Sequence, residues 1–165
     1  MKKILACTLL LLSFAGASAQ ALWRGVPAGA TPAEVSALIP EAVPASADWP
    51  ATEVGRVLLE IPAHELLGVD FAVAFGFEKD RLQGIQLQTR AATPQEARAI
   101  AQRLTTSLKA RYGLEISTKS RQDRSSTGID RKWSYRRTSV HLEVLDETTV
   151  RLRYRPETVR APNPL

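Results

Sequence analysis

Large hydrophobic residues alternate with small or polar residues along much of the chain after residue 55, a pattern typical of strands in an antiparallel sheet. The alternation is clearest from Val69 to Phe77, where a large apolar side chain occupies every second position. A polar turn at 78–81 and a returning segment at 82–89 predict a hairpin. Further strands are predicted at 56–61, 114–118, 131–136, 139–145 and 149–154.

Two segments have the 3.6-residue period of amphipathic helices, and each begins with the sequence Thr-Pro-x-Glu. This is a capping box, in which threonine is the N-cap, proline fits the first turn and glutamate reaches back to the cap. The first helix starts after Thr31 and ends before Pro40. The second starts after Thr93, covers 94–112 and ends before Gly113, a residue suited to a helix C-terminus.

The order of these elements predicts an α+β fold with an antiparallel sheet and two helices packed on one face. The helices and strands follow one another as αβββ and then αββββ, which suggests two αβ units. Residues 30–37 and 92–99 agree at five of eight positions. A duplication would produce this agreement, and so would two helices that merely share a start signal.

Several segments between or beyond these elements are predicted to be irregular. The proline- and alanine-rich stretch 41–50, which contains Trp49, predicts a surface loop, and the polar stretch 119–128 predicts a mobile one. Residues 20–154 then form a single domain, followed by a flexible, proline-rich tail at 155–165. The small residues Ala72, Ala74 and Gly76 form a flat strip that a partner or the chain's own Trp49 loop could cover, and we expect the loop.

The N-terminal residues 1–19 predict a cleavable signal peptide. Two lysines precede the apolar run 4–14, and Ala17-Ser18-Ala19 supplies the small residues that signal peptidase accepts. The run is too short to span a bilayer, which needs about 20 residues, and no second run follows. We therefore expect cleavage after Ala19, release into the periplasm or outside the cell, and no transmembrane segment after cleavage.

Cys7 offers an alternative interpretation and also limits the chemistry of the mature chain. Leu5-Ala6-Cys7 faintly resembles the cleavage box of bacterial lipoproteins, but a cut there would leave little apolar sequence before it. Since Cys7 is the only cysteine, the mature chain has no disulfide, no thiol nucleophile and no thiolate metal ligand.

Few residues in the mature chain are suited to catalysis. His64 lacks the second histidine of a zinc-protease helix, and His141 lies on what should be the outer face of a strand, so both are expected at the surface. No nucleophile elbow, phosphate-binding glycine loop or dinucleotide fingerprint occurs. A pair of glycosidase carboxylates need not be close in sequence and stays open. We therefore expect that the protein has no enzymatic activity and binds no cofactor and no metal.

Positive charge is concentrated in the second half of the mature chain. Residues 20–92 contain 5 basic and 9 acidic groups, whereas residues 93–165 contain 15 and 8. If Val150, Leu152 and Tyr154 face the core, the alternate arginines form a basic sheet face that can bind phosphate or carboxylate groups. The predicted anion-binding residues are Lys132, Arg136, Arg151, Arg153 and Arg155. The alternative is a solvated face on which acidic neighbours pair with these cations.

The run Gly29-x-Thr31-x-x-Glu34-Val35 through Pro40, together with Trp133-x-Tyr135 on a strand, resembles the small lipoprotein of the outer-membrane β-barrel assembly machine. More broadly it is similar to β-lactamase-inhibitor-protein-like helix-plus-sheet units, and to uncharacterised periplasmic proteins of proteobacteria. The similarity covers about a fifth of the chain and rests mostly on helix-start residues. That lipoprotein has an acylated cysteine at its mature start, where this chain has Gln20. The resemblance implies a role in envelope interactions and no particular site residues.

Together these features predict a monomeric, non-catalytic periplasmic protein that acts by binding. The leading hypothesis is a protein-interaction module of the cell envelope. The alternative is a binder of an anionic lipid or glycan through the basic sheet face. Its partner would be an envelope protein or an anionic envelope component, and nucleic acid is not expected for an exported protein.

Overall fold

The computed structural model of the chain describes residues 21–46, 49, 52–118 and 126–157. The predicted signal peptide therefore lies outside the described residues, as do 119–125 of the predicted mobile loop and 158–165 of the predicted tail. The helices are α1 (Pro32–Leu38) and α2 (Pro94–Tyr112). The strands are β1 (Ala21–Trp23), β2 (Val26–Pro27), β3 (Val43–Pro44), β4 (Arg56–Leu66), β5 (Val69–Glu78), β6 (Arg81–Arg90), β7 (Ser117–Thr118), β8 (Ser126–Tyr135), β9 (Thr138–Leu145) and β10 (Thr149–Pro156).

Eight of these strands form one antiparallel sheet in the order β3-β4-β5-β6-β10-β9-β8-β7. The predicted α+β class and the antiparallel sheet are confirmed. The first and second halves of the chain meet where β6 pairs with β10, and Leu87 there lies opposite Leu152. Strands β1 and β2 form a separate small hairpin.

The hydrophobic core lies on one face of the sheet. Helix α2 packs there against β8, β9 and β10. Its buried side chains are Ala97, Ile100, Ala101, Leu104 and Leu108. Val35 of α1 and the fully buried Trp133 of β8 belong to the same hydrophobic cluster. The apolar alternation therefore identified the buried face of the sheet correctly.

Both helices begin at the threonines that the sequence indicates. Thr31 accepts a hydrogen bond from the Glu34 backbone N–H (3.3 Å), and the Glu34 carboxylate accepts one from the Thr31 N–H (2.7 Å). Thr93 likewise accepts from the Glu96 N–H (3.1 Å), but the Glu96 carboxylate accepts from the N–H of Ala92 instead. Each helix start is thus fixed locally, within about one turn of chain.

The structure differs from the predicted elements mainly at short or irregular segments. The three short strands β1, β2 and β3 were not predicted, because two or three residues cannot show an alternating pattern. Strand β4 continues past Ile61 to Leu66 through a break in register, where Pro62 cannot donate a ladder hydrogen bond. Strands β8 and β10 also extend, to Ser126 and Pro156, into the predicted loop and tail.

A short segment folds across the other face of the sheet and covers its small residues. Residues 52–55, which we call the strap, close a tight turn in which Thr52 donates its hydroxyl to the Gly55 carbonyl (2.7 Å). Val54 is fully buried against Gly76 and Gly84, where a Cβ atom would lie 2.2 and 2.9 Å from atoms of Val54. The strap therefore covers the Gly76 end of the small-residue strip, and it follows the predicted Trp49 loop in the chain.

Candidate functional site

The sheet face opposite α2, which we call the polar face, carries a row of polar side chains across its central strands. By alternation with the core positions these are Glu60, Gln86, Gln88, Lys132, His141, Glu143, Arg151 and Arg153. Trp49 donates its indole N–H to Glu60 at one side of the row. Trp49 and the strap thus partly cover the polar face.

Arg153 lies at the centre of the polar face and is only 4% exposed. Its guanidinium forms ion pairs with Glu143 of β9 (2.8 Å) and with Glu53 of the strap. A buried guanidinium is tolerated only when paired, because removing a charge from water is costly. The arginine that the sequence placed in an anion-binding set therefore already binds the protein's own carboxylates.

His141 joins this cluster as a neutral imidazole. Its Nδ1 lies 2.7 Å from an Arg153 guanidinium nitrogen, and its Nε2 lies 2.6 Å from an Asp130 oxygen. A guanidinium can only donate, so Nδ1 must accept and the ring proton must lie on Nε2, which donates to Asp130. Burial lowers the pKa of His141, and the hydrogen bond to Asp130 opposes this only in part. The residue expected at the surface is largely buried instead.

The five residues of the predicted anion-binding set do not form one open surface. Lys132 and Arg155 are exposed, whereas Arg151 is half-buried, donates to Gln88 (3.3 Å) and pairs with Glu143 (3.5 Å). Arg136 lies in the turn between β8 and β9 and lines a cleft beside α2. Of the five predicted residues, Lys132 and Arg155 are therefore exposed on the polar face, and Arg136 lies outside that face.

That cleft is a basic concave surface. It has a volume of about 490 Å³ and lies where the β1–β2 hairpin, the C-terminal end of α2 and the β8–β9 turn meet. Its lining residues are Ala21, Leu22, Trp23, Arg24, Gly25, Arg111, Tyr112, Tyr135, Arg136 and Thr138. We call it the arginine–tyrosine cleft. Its described lining contains three arginines and no aspartate or glutamate.

Each arginine of the cleft stacks on the aromatic residue next to it in sequence. Arg24 lies 5.3 Å from the Trp23 ring centroid. Arg111 lies 5.6 Å from the Tyr112 ring and Arg136 5.1 Å from the Tyr135 ring. The two tyrosine rings are themselves 5.7 Å apart. Stacking on a ring face orients a guanidinium while its N–H groups remain available at the edge.

Two arginines of the cleft have no carboxylate partner among the described residues. Arg24 forms an ion pair with Glu41 (2.5 Å), whereas neither Arg111 nor Arg136 pairs with a described carboxylate. Thr138 is only 4% exposed, and its hydroxyl has no hydrogen-bond partner among the described residues. Guanidinium groups of this kind are donors suited to an anion.

Beside the cleft, Tyr112 lies close to the buried Tyr154 of β10. Burial raises the pKa of the Tyr154 phenol well above its usual range, so this hydroxyl stays protonated. The Tyr112 ring that contacts Arg111 therefore lies beside a neutral phenol of the central sheet.

Sequence reasoning identified only Arg136 among the cleft arginines, because the three lie on segments far apart in the chain. A local signal was present, since each arginine is adjacent to an aromatic residue, as Trp23-Arg24, Arg111-Tyr112 and Tyr135-Arg136. Such pairs indicate stacking, but they do not reveal that three of them converge. Their convergence depends on the pairing of β8 with β9 and on the position of the β1–β2 hairpin.

The described part of the chain shows no grouping of three or more histidine, cysteine, aspartate or glutamate side chains arranged to bind a metal. Nor does any described helix have the length and apolar character needed to cross a membrane.

The comparisons with known proteins gave no relative. No protein-family model matches the chain, and neither the curated proteins nor the solved structures gave a match.

Proposed function

We propose that this chain is an exported, non-catalytic periplasmic protein that binds an anionic component of the cell envelope in the arginine–tyrosine cleft. The observation that carries this proposal is the pair Arg111 and Arg136, whose charges no described carboxylate balances. An anion entering the cleft gains charge-assisted hydrogen bonds without displacing an existing ion pair.

The cleft supports anion binding better than the polar face does. On the polar face an anionic ligand must compete with Glu143 and Glu53 for Arg153, and with Glu143 for Arg151. Breaking a buried ion pair leaves a carboxylate without its partner, which is costly. The exposed Lys132 and Arg155 remain as cations that can add long-range attraction.

The proposed location rests on the N-terminal sequence. The basic start, the short apolar run and Ala17-Ser18-Ala19 are the features of a secretory signal peptide cleaved after Ala19. The resemblance to an envelope lipoprotein points to the same compartment. We propose that the mature protein is a soluble periplasmic monomer.

The test is retention of the mature chain, beginning at Gln20, on isolated envelope fractions at low and at high salt. Replacing Arg111 and Arg136 by glutamine should reduce retention about tenfold or more, because each change removes a charged donor. The matched control replaces Arg90 and Arg98, two exposed arginines outside the cleft, by glutamine and should retain normally. Equal losses in both double variants would show that only net charge matters and would overturn the cleft as the site.

The second candidate function is a protein-interaction module, and one observation favours it. Leu114 and Ile116, on the segment leading into the edge strand β7, are 83% and 65% exposed. Apolar side chains beside a sheet edge are typical of protein-binding surfaces. In the retention experiment this function predicts the opposite result: binding persists in the Arg111/Arg136 variant and is lost when Leu114 and Ile116 are replaced by serine.

We also propose that the fold consists of two related αβ units, α1 to β6 and α2 to β10. The support is the mirrored strand order, in which β4-β5-β6 meets β10-β9-β8, and the shared Thr-Pro-x-Glu starts. Superposition of the two units tests this. A duplication requires β4, β5 and β6 to overlay β8, β9 and β10 in the same connectivity.

A further inference from the structure

We infer that the ligand of the arginine–tyrosine cleft carries a phosphomonoester group, an inference that rests on the proposed anion-binding function. The first argument is charge. Arg24 is balanced by Glu41, so the described lining has two excess charges, on Arg111 and Arg136. A phosphomonoester carries about −1.5 to −2 charge near neutral pH, whereas a carboxylate or a phosphodiester carries one. Of these three groups, the monoester alone balances both arginines.

The second argument is the number and kind of donors. Two guanidinium groups present forked N–H edges, which match pairs of oxygen atoms on one phosphate. Thr138 also lines the cleft, and its buried hydroxyl has no hydrogen-bond partner among the described residues. A phosphomonoester has three terminal oxygens to accept bonds from the guanidinium groups. An unpaired buried hydroxyl is costly, so a rotation of this side chain toward a bound phosphate oxygen would relieve that cost.

The third argument is the wall that would surround the esterified group. Trp23 and the two tyrosines give the cleft an aromatic lining, and its volume of about 490 Å³ accommodates more than a bare phosphate. Aromatic faces pack well against the carbon atoms of a sugar or glycerol unit. The chemical class is therefore a phosphomonoester on a small polyol, either free or as the headgroup of a lipid.

Arg111 also has a structural role, which the experiment must separate from binding. It lies in the last turn of α2, where the helix carbonyls carry partial negative charge that a cation offsets. Its replacement can lower stability without touching a ligand. Arg136 and Thr138 lie outside the helix, so variants at these two positions report on the cleft alone.

The test is calorimetric titration of the mature chain with three ligands that share a glycerol unit. These are glycerol 3-phosphate, the phosphodiester glycerophosphoglycerol, and glycerate. The monoester should bind at least about tenfold more tightly than either monoanion, because it alone pairs with both arginines. Equal affinity for all three would overturn the phosphomonoester assignment.

Single substitutions test whether glycerol 3-phosphate binds in the arginine–tyrosine cleft. Arg136→Gln should weaken glycerol 3-phosphate binding about tenfold or more, whereas the control Arg98→Gln should not change it. Thr138→Val should weaken binding severalfold while leaving the melting temperature equal or higher, because it removes a buried hydroxyl without a described partner. Unchanged binding in both cleft variants would overturn the site.

A vesicle-binding experiment distinguishes a phosphate on a lipid headgroup from a phosphate on a soluble ligand. Retention on vesicles containing phosphatidic acid, a monoester, but not on vesicles containing phosphatidylglycerol, a diester, supports a lipid headgroup. Binding of glycerol 3-phosphate without vesicle retention supports a soluble ligand of the same chemistry. If none of the phosphates binds but envelope retention still depends on Arg111 and Arg136, the phosphomonoester assignment fails and the proposed function stands.

Discussion

At the scale of single residues, the unusual feature of this protein is a cluster of ionisable side chains under the strap. Arg153, His141, Glu143, Asp130 and Glu53 contact one another, and the arginine is almost fully buried. Because the guanidinium donates to the imidazole, a protonated His141 would place two cations against each other. The cluster is therefore most stable while His141 is neutral.

This arrangement predicts that, as the pH is lowered, the free energy of unfolding decreases at a higher pH than that at which the carboxylates are protonated. The pKa of His141 is lowered in the folded state, so the folded protein binds fewer protons than the unfolded chain. Stability should be complete above about pH 6.5, the unfolded value, and should fall as the pH drops below it. His141→Gln, which keeps one donor and one acceptor, should reduce this fall in urea denaturation measured from pH 7.5 to 5.

His64 supplies the comparison for that experiment, because burial lowers its pKa as well. A His64→Gln variant should remove its own, separate part of the pH dependence. Nitrogen chemical shifts of His141 should show the proton on Nε2 at pH 7.5. A proton on Nδ1, or an unchanged pH profile in His141→Gln, would contradict the neutral cluster.

Residue identities alone could not reveal this cluster. Alternation correctly predicts that Arg151 and Arg153 share a face, and pairing of the basic residues with acidic neighbours is one of the two interpretations that the sequence allows. The burial of Arg153 depends on Glu53, which lies 100 positions earlier in the chain. No local pattern encodes a contact of that kind, because it requires the strap to be in place.

At the scale of elements, helix starts were predictable because their chemistry is local. Thr93 and Glu96 are three residues apart and satisfy a backbone donor within the first turn of α2. The buried face of α2 follows from the 3.6-residue period in the same way. The β1–β2 hairpin, by contrast, forms one wall of the candidate site, and its five strand residues carry too little pattern to predict it.

We expect Thr93→Ala to lower the free energy of unfolding by about 1 kcal/mol, since it removes the side-chain cap of α2. The matched control is Thr106→Ala in the exposed part of the same helix, where the hydroxyl only donates back to the Gln102 carbonyl. Alanine has a higher helix propensity than threonine, so the control should be neutral or slightly stabilising. Urea denaturation followed by circular dichroism measures both, and equal losses would show that the cap contributes nothing specific.

At the scale of the whole molecule, the two halves of the chain are joined into one sheet and one core. Strand β6 from the first half pairs with β10 from the second over six residue pairs, and the hydrophobic cluster is continuous across that seam. The proposed arginine–tyrosine cleft also takes residues from both halves. Neither half presents the complete cleft by itself.

The pairing of β6 with β10 and the shared core predict that the two halves unfold cooperatively. Leu152 is buried where the halves meet, and Leu152→Ala should cost about 2–5 kcal/mol through lost packing. Tryptophan fluorescence and far-ultraviolet circular dichroism should still report one shared transition, because Trp23 and Trp133 lie in different halves of one core. Separate transitions for the two probes would show that the halves are independent.

The two-residue strands at the sheet edges affect how copies of the protein could associate. Among the described residues, β3 and β7 each cover part of an outer long strand and present only two residues of their own. Each therefore leaves most of the outer edge of β4 and of β8 without a strand partner among the described residues, although Pro44 removes a backbone donor from one margin. These uncovered parts of the two long strands, rather than the short strands themselves, are where a neighbouring copy could extend the sheet.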